Sequence, residues 1–252
     1  MLDYQTTRTA IQSASSGWIG KSILALFTIL GSFRYGVGLY AWRAAERLEK
    51  PSFVSVKKLP GGVDLRRYDS YLIAETTVPK EGFRESTGDG FRACAGYIFG
   101  KNKASKQKRT ALQNSDENPP RPSSDNEKMA MTAPVRVNGG GKSGTKVSFV
   151  IGSKYSLSSA PKPLDKNVRL REVRSHYLAT RNFSGPPPTD ERVRLERQRI
   201  DVALEQSNMR PAADGETFVY GYHDPFITPN ILRKNEVGVM VDPSSICDSN
   251  FS

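Results

Sequence analysis

The chain repeats itself once, and that repeat limits its fold more than any other feature. Val63-Asp64-Leu65-Arg66 opens a stretch that ends in Leu72-Ile73-Ala74, and Val168-Arg169-Leu170-Arg171 opens one that ends in Tyr177-Leu178-Ala179. From Val63 to Val168 and from Ala74 to Ala179 the offset is the same, 105 residues. A single repeat of that length is too long for a solenoid and suits two fused halves of one domain.

Each half reads in the same order. In the first, Val63 to Val78 forms two strands around Asp69-Ser70. A helix follows with Phe91, Cys94, Ala95, Ile98 and Phe99 at i, i+3, i+4, i+7 and i+8 on one face. Asp89 is placed to cap it, and Gly100 fits the position just past its end. Met129 to Val137 and Lys146 to Ile151 read as strands. In the second half, Val168 to Phe183 is a strand pair, and Gly185-Pro186-Pro187-Pro188 breaks the chain. Thr189 or Asp190 caps a helix running to about Gln206, and Thr217 to Tyr222 and Val237 to Val241 are strands. The fold class is therefore α+β, a duplicated β-β-α-β-β unit. Two such units can join into a distorted β-barrel flanked by two helices.

The flanks read differently. Residues 1–16 are polar, and residues 17–42 are apolar apart from Lys21 and Arg34, with Trp18, Tyr40 and Trp42 where interfacial aromatics belong. Residues 17–42 are expected to be a membrane anchor touching lipid; a cleaved targeting segment, leaving an organellar or secreted protein, and an amphipathic surface helix are the rivals. Arg43, Arg47 and Lys50 favour the main domain on the cytoplasmic side. Residues 43–52 read as a linker, 53–241 as the domain, 103–127 as a disordered insertion rich in Lys, Ser, Asn and Pro, and 242–252 as a tail.

The net charge of +11 suits anionic partners without choosing among them. Nucleic acid is disfavoured because the Lys101 to Arg109 basic cluster holds no aromatic for base stacking. Cys94 and Cys247 form neither a disulfide framework nor a metal motif, and Cys94 on the apolar helix face is expected to be a small buried hydrophobe. No catalytic triad, Gly-rich phosphate loop or metal-spaced Cys/His cluster is evident, so an enzyme is not expected.

A spaced set of segments carries a family resemblance: Arg67-Tyr68-Asp69-Ser70-Tyr71, Gly90-Phe91-Arg92, Tyr97-Ile98-Phe99-Gly100-Lys101-Asn102, Lys128 to Val135, Phe183-Ser184-Gly185, Tyr222-His223-Asp224-Pro225-Phe226 and Arg233-Lys234-Asn235-Glu236-Val237. Together they resemble the SOUL haem-binding protein family over about Phe53 to Val241. The resemblance implies reversible, non-covalent binding of haem or another tetrapyrrole, for buffering, transport or delivery. A binding module for another amphipathic anion is the alternative, and a metal-removing activity on tetrapyrroles needs little more than a groove and a proton source.

Haem is an apolar plate with two carboxylates at one edge, so its site needs an apolar surface, cations and, in some proteins, an axial ligand. Phe91, Ala95, Ile98 and Phe99 can supply the surface, although the same helical stripe can serve the core. Arg92, Lys101 and Arg233 are candidate carboxylate partners. His176, at the position matching Tyr71 in the first half, and His223, in a loop, are the candidate iron ligands. Met129 and Met131 share a strand face and fit core filling better than ligation.

Overall fold

A computed structural model describes residues 18–79, 83–105, 126–141 and 144–248. Most of the expected insertion, residues 106–125, and the polar segment 1–16 lie outside the described residues. The elements are helix α1 (Trp18–Glu46), strands β1 (Phe53–Leu59), β2 (Val63–Tyr68) and β3 (Tyr71–Val78), helix α2 (Phe83–Ile98), and strands β4 (Asn102–Lys103), β5 (Val135–Gly141), β6 (Gly144–Val150), β7 (Lys162–Pro163), β8 (Arg169–Val173) and β9 (His176–Ser184). Helix α3 (Asp190–Glu205), strands β10 (Thr217–Gly221) and β11 (Lys234–Val241), and a short α4 (Pro243–Asp248) follow.

Nine strands form one curled antiparallel sheet in the order β1-β2-β9-β11-β10-β5-β6-β3-β8. The duplication is written into its register. The first strand of each half pairs with the second strand of the other: Leu65 lies opposite Ala179, and Leu170 lies opposite Ala74. Shifting the first pair by the 105-residue offset, forward on one strand and back on the other, produces the second. The halves are thus related by a pseudo-two-fold axis between β5 and β10, and each lends its first strand, β2 or β8, to the other's side of the sheet.

Helices α2 and α3 both cover one face of this sheet. Strands alternate their side chains, so one parity faces the helices and the other faces away. Cys94, Ala95, Tyr97 and Ile98 of α2 pack with Leu72, Ala74, Phe149 and Ile151. Val193, Ile200, Ala203 and Leu204 of α3 pack with Leu65, Ala179, Val237 and Val239. Thr189 caps α3, its hydroxyl accepting from Arg192 N, and Asp190 and Glu191 occupy the first turn, where negative charge suits the helix dipole. As expected, Cys94 is fully buried, and burial pushes its thiol up to about 12.

Two local expectations change. Helix α2 starts at Phe83 rather than after Asp89, because the Phe83 ring joins the α3-side core and its N–H donates to Asp190 Oδ1 at 2.9 Å. Asp89 instead pairs with Arg92 on the helix surface. Residues 129–132 are not regular strand. Thr132 forms an isolated bridge with Glu49, and β5 begins only at Val135.

Helix α1 runs on past residue 42 to Glu46, and the segment after it is docked on the sheet. Ala133 N donates to Glu49 O at 2.9 Å, and Ser153 N donates to the Glu49 carboxylate at 2.6 Å. Within α1, the 26-residue segment Lys21–Glu46 contains an 18-residue window of mean hydropathy 1.5 that is only 7% buried, so by length and composition this helix can cross a membrane.

Candidate functional site

The sheet face turned away from α2 and α3 is unusual. Many of its residues are charged or aromatic and yet buried: Asp64, Arg66 and Tyr68 on β2, Arg136 on β5, Phe218 and Tyr220 on β10, and Glu236 on β11. The segment following α1 covers part of it. Lys50, Pro51, Phe53, Tyr68, Tyr71, Pro134, Arg136, Val150, Tyr220, Tyr222 and Lys234 enclose a cavity of about 40 Å³.

One wall is a satisfied charge network. Arg66 donates to Asp64 Oδ2 at 2.8 Å and to Glu236 Oε1 at 3.0 Å. Tyr222 donates its hydroxyl proton to the other Glu236 oxygen, and Lys234 Nζ stands 3.4 Å from Glu236 Oε1. Glu236 is fully buried, and these three partners satisfy a carboxylate that would be costly to bury alone. Burial pushes the nearby Tyr68 phenol up to about 12, which keeps it a neutral hydrogen-bonding group.

The opposite wall is not satisfied. Arg136 is 3% exposed, and its Nε and Nη1 have no hydrogen-bond partner among the described residues. Its guanidinium lies 4.5 Å from the Phe218 ring centroid. Burial works against this charge, but Tyr220, Tyr71 and Glu75 around it outweigh that and hold it protonated. A buried guanidinium with two open donors is a costly group to keep unless something binds it.

His176 stands beside it. Its ring stacks on Tyr68 at 5.4 Å with an interplanar angle of 7°, and Nδ1 lies 2.8 Å from Arg174 O. That carbonyl can only accept, so the contact puts the neutral ring's proton on Nδ1 and the free lone pair on Nε2. Nε2 is buried and unpartnered among the described residues. Burial, and the charge of Arg136, hold the imidazole below its usual range despite the Arg174 contact. This is the protonation state a metal-binding histidine needs.

The other expected residues are scattered. His223 accepts from Lys234 N at 3.1 Å, and its Nε2 lies 3.1 Å from Glu46 Oε1 in a poorly directed approach; burial lowers its pKa, with Glu46 opposing. Arg233 braces a loop, donating to Thr228 O at 2.9 Å and to Pro225 O, so its guanidinium is engaged by backbone. Ala95 and Ile98 belong to the core. Phe91, with its ring 5.1 Å from Phe149, and Phe99 are partly exposed on α2, with Arg92 and Lys101 on the surface nearby. Met129 is core, and Met131 packs against it.

In the sequence, Tyr68, Tyr71, Tyr222 and Glu236 stand out only as parts of the family segments and not as site residues, and Arg136 and Tyr220 do not stand out at all. Among the described residues no group of three or more His, Cys, Asp or Glu is placed to hold a metal ion by itself. The donors suit a ligand that carries a carboxylate and a flat apolar body: Arg136 and the flanking Lys50 and Lys234 for the acid, and the tyrosine and phenylalanine rings for the body, with the open His176 Nε2 nearby. In residue types this fits haem, while the cavity volume matches one carboxylate group rather than a macrocycle.

The sequence profile of the family described as SOUL heme-binding protein matches residues 48–112 and 116–240. The chain belongs to that family, a family of tetrapyrrole-binding proteins. No curated protein matches the chain. Among solved structures, a hydrolase from Listeria innocua is 9% identical with TM-score 0.46, covering 79% of this chain and 96% of its own. The EcmrR C-terminal domain is 10% identical with TM-score 0.41, covering 71% and 96%. SAV2435 bound to tetraphenylphosphonium is 12% identical with TM-score 0.39, covering 73% and 96%. At these values the likenesses decide nothing about this chain.

Proposed function

We propose that this SOUL-family chain binds haem or a related tetrapyrrole reversibly, in a domain tethered to a membrane by α1, and so buffers or delivers it. The observation that carries the reading is the buried Arg136 guanidinium, open at two nitrogens in a cavity walled by tyrosines. A propionate would meet Arg136 in the cavity, with Lys50 and Lys234 at its rim. The apolar body would lie against Phe53, Tyr68 and Tyr222. His176 Nε2 would be the better-prepared nitrogen to hold the iron, because a carbonyl fixes its tautomer, whereas His223 already faces Glu46. Bound haem supplies the redox-active iron; the chain supplies charge pairing, ring contacts and a neutral imidazole. The exposed side of α2, with Phe91, Phe99, Arg92 and Lys101, offers an apolar edge and cations but no buried open charge.

The tether rests on the Lys21–Glu46 helix, which a signal sequence would match in length and composition. Arg43, Arg47 and Lys50 beyond it favour the cytoplasmic side.

The test is a haem titration of the full chain in detergent micelles, followed by absorbance. A saturable Soret shift is expected in the parent, with an altered band position in His176→Ala and an unaltered one in His223→Ala. No saturable shift at micromolar haem would overturn the reading. The cavity's volume of about 40 Å³ specifically favours a second reading, a module for a smaller aromatic carboxylate. In that case naphthoate or a similar acid would protect the domain against unfolding while haem would not.

A further inference from the structure

The loop between β10 and β11 leaves its apolar side chains in the open. Phe226 is 82% exposed, Ile231 78% and Ile227 47%. A loop that merely connects two strands tends to hide or avoid such groups, and a cluster of them marks a contact surface.

The loop is also braced. Asp224 Oδ1 accepts from Phe226 N at 2.7 Å and from Ile227 N at 2.9 Å. Arg233 donates into it at Thr228 O and Pro225 O, and Gly185 N donates to Asn230 O at 3.0 Å. The apolar tips are held out by a fixed backbone.

Its neighbour says what they meet. Gly38 of α1 is buried against this loop: a Cβ built there would lie 2.8 Å from Pro229 Cδ and 3.0 Å from Ile227 O. Lys21–Glu46 is 26 residues long, about 39 Å of helix, against about 30 Å of bilayer hydrocarbon. If Lys21 marks one boundary, Gly38 lies about 26 Å along, just inside the other. Tyr40, 77% exposed, and Trp42 follow at interfacial depth. The loop touches the helix where hydrocarbon gives way to headgroups, and Arg43 and Arg47 come next on the headgroup side.

We infer that Phe226, Ile227 and Ile231 insert into the bilayer surface beside α1, so that the loop is a second membrane contact that fixes how the domain sits on the lipid. This rests on the proposed tether. Such seating would hold the cavity close to the membrane, because Lys50 follows α1 directly and Lys234 ends the same loop.

The experiment places single spin labels on the full chain in vesicles of phosphatidylcholine and phosphatidylserine, in a Cys247→Ser background. Labels go at Ile29→Cys in α1, at Phe226→Cys, and at Leu195→Cys on α3, which is 47% exposed. Phe226 makes few contacts, so its replacement should leave the fold intact; an unchanged haem titration checks that. Collision with dissolved oxygen is compared with collision with a water-soluble nickel chelate. Labels at 29 and 226 should both favour oxygen, and the label at 195 should favour nickel. If 29 favours oxygen while 226 behaves like 195, the loop is aqueous and this inference alone fails. If 29 favours nickel, the tether fails and takes the inference with it. Protection of 226 from both reagents, with dipolar broadening between labels, would seat a second copy of the chain there and overturn the lipid assignment.

Discussion

Arg136→Met separates a ligand-binding role from a structural one, because the two predict different signs. In the ligand-free fold the guanidinium leaves Nε and Nη1 unpartnered, and each open buried donor costs about 1–3 kcal/mol. Against this, it sits 4.5 Å from the Phe218 ring, a desolvated contact that contributes up to about 2 kcal/mol. Tyr71 also contacts it through a hydrogen bond, and such a bond to a charged group contributes about 1.5–3 kcal/mol. The two sides are of similar size, so the variant should melt within about 4 °C of the parent in calorimetry. Haem binding should suffer more. Loss of one charge-assisted contact to a propionate removes about 1.5–3 kcal/mol, a Kd increase of about 10- to 150-fold. Arg136→Lys keeps the charge but not the planar fork, and should fall between. A Kd within twofold of the parent would refute the assignment of the cavity as the carboxylate site. A melting point lowered by more than about 10 °C would show that Arg136 serves the fold itself.

Glu236→Ala should destabilise the domain by about 3 kcal/mol, since Arg66 would keep only Asp64 of its two buried carboxylate partners and Tyr222 would lose its acceptor; a urea midpoint equal to the parent's would contradict the network. Burial lowers both histidines, so the unfolded chain takes up protons first as pH falls. Stability should be full above about pH 6.5 and decline as pH drops from there through the lowered folded values. The slope between pH 7 and 5.5 should shrink in His176→Asn, and an unchanged slope would remove His176 from the account. Gly90→Ala should destabilise even though alanine is the better helix former by about 1 kcal/mol, because the new Cβ would lie 2.5 Å from Val147; a higher melting point would show that the sheet yields there. Cys94 should resist iodoacetamide in the native protein at pH 8, with its thiol at about 12, and become labelled once urea unfolds the chain.

The scaffold was legible because its signals are local or repetitive. The 105-residue offset marked β2 and β3 as the counterparts of β8 and β9, and Thr189 announced α3 through ordinary capping chemistry. The start of α2 was not legible, because Phe83 is drawn into helix by a core contact and a bond to Asp190 far along the chain. The cavity was missed for a related reason. Val135-Arg136-Val137-Asn138 alternates apolar and polar, a pattern that ordinarily means one wet face. Here the nominally wet face is covered by residues following α1. A signal was present all the same: the polar parity of β2 and β10 carries Tyr68, Phe218 and Tyr220, large rings where a solvated face would have Lys or Ser.

The duplication also explains why the site had to diverge between halves. Carrying the register through the sheet, Ile73↔Val150 corresponds to Leu178↔Met240, and Val135↔Phe149 corresponds to Thr217↔Val239. Arg136 is then the counterpart of Phe218, and Tyr71 of His176. Each pair meets near the pseudo-two-fold axis: Arg136 lies over Phe218 at 4.5 Å, and Tyr71 and His176 have ring centroids 6.0 Å apart. Identical residues at such positions would face their own kind, and two buried guanidiniums at that range would repel strongly. Pairing a cation with a ring removes the clash and leaves the guanidinium's Nε and Nη1 uncommitted. The symmetric fold therefore builds a cavity across its axis, and the broken symmetry there gives the cavity a single open positive charge.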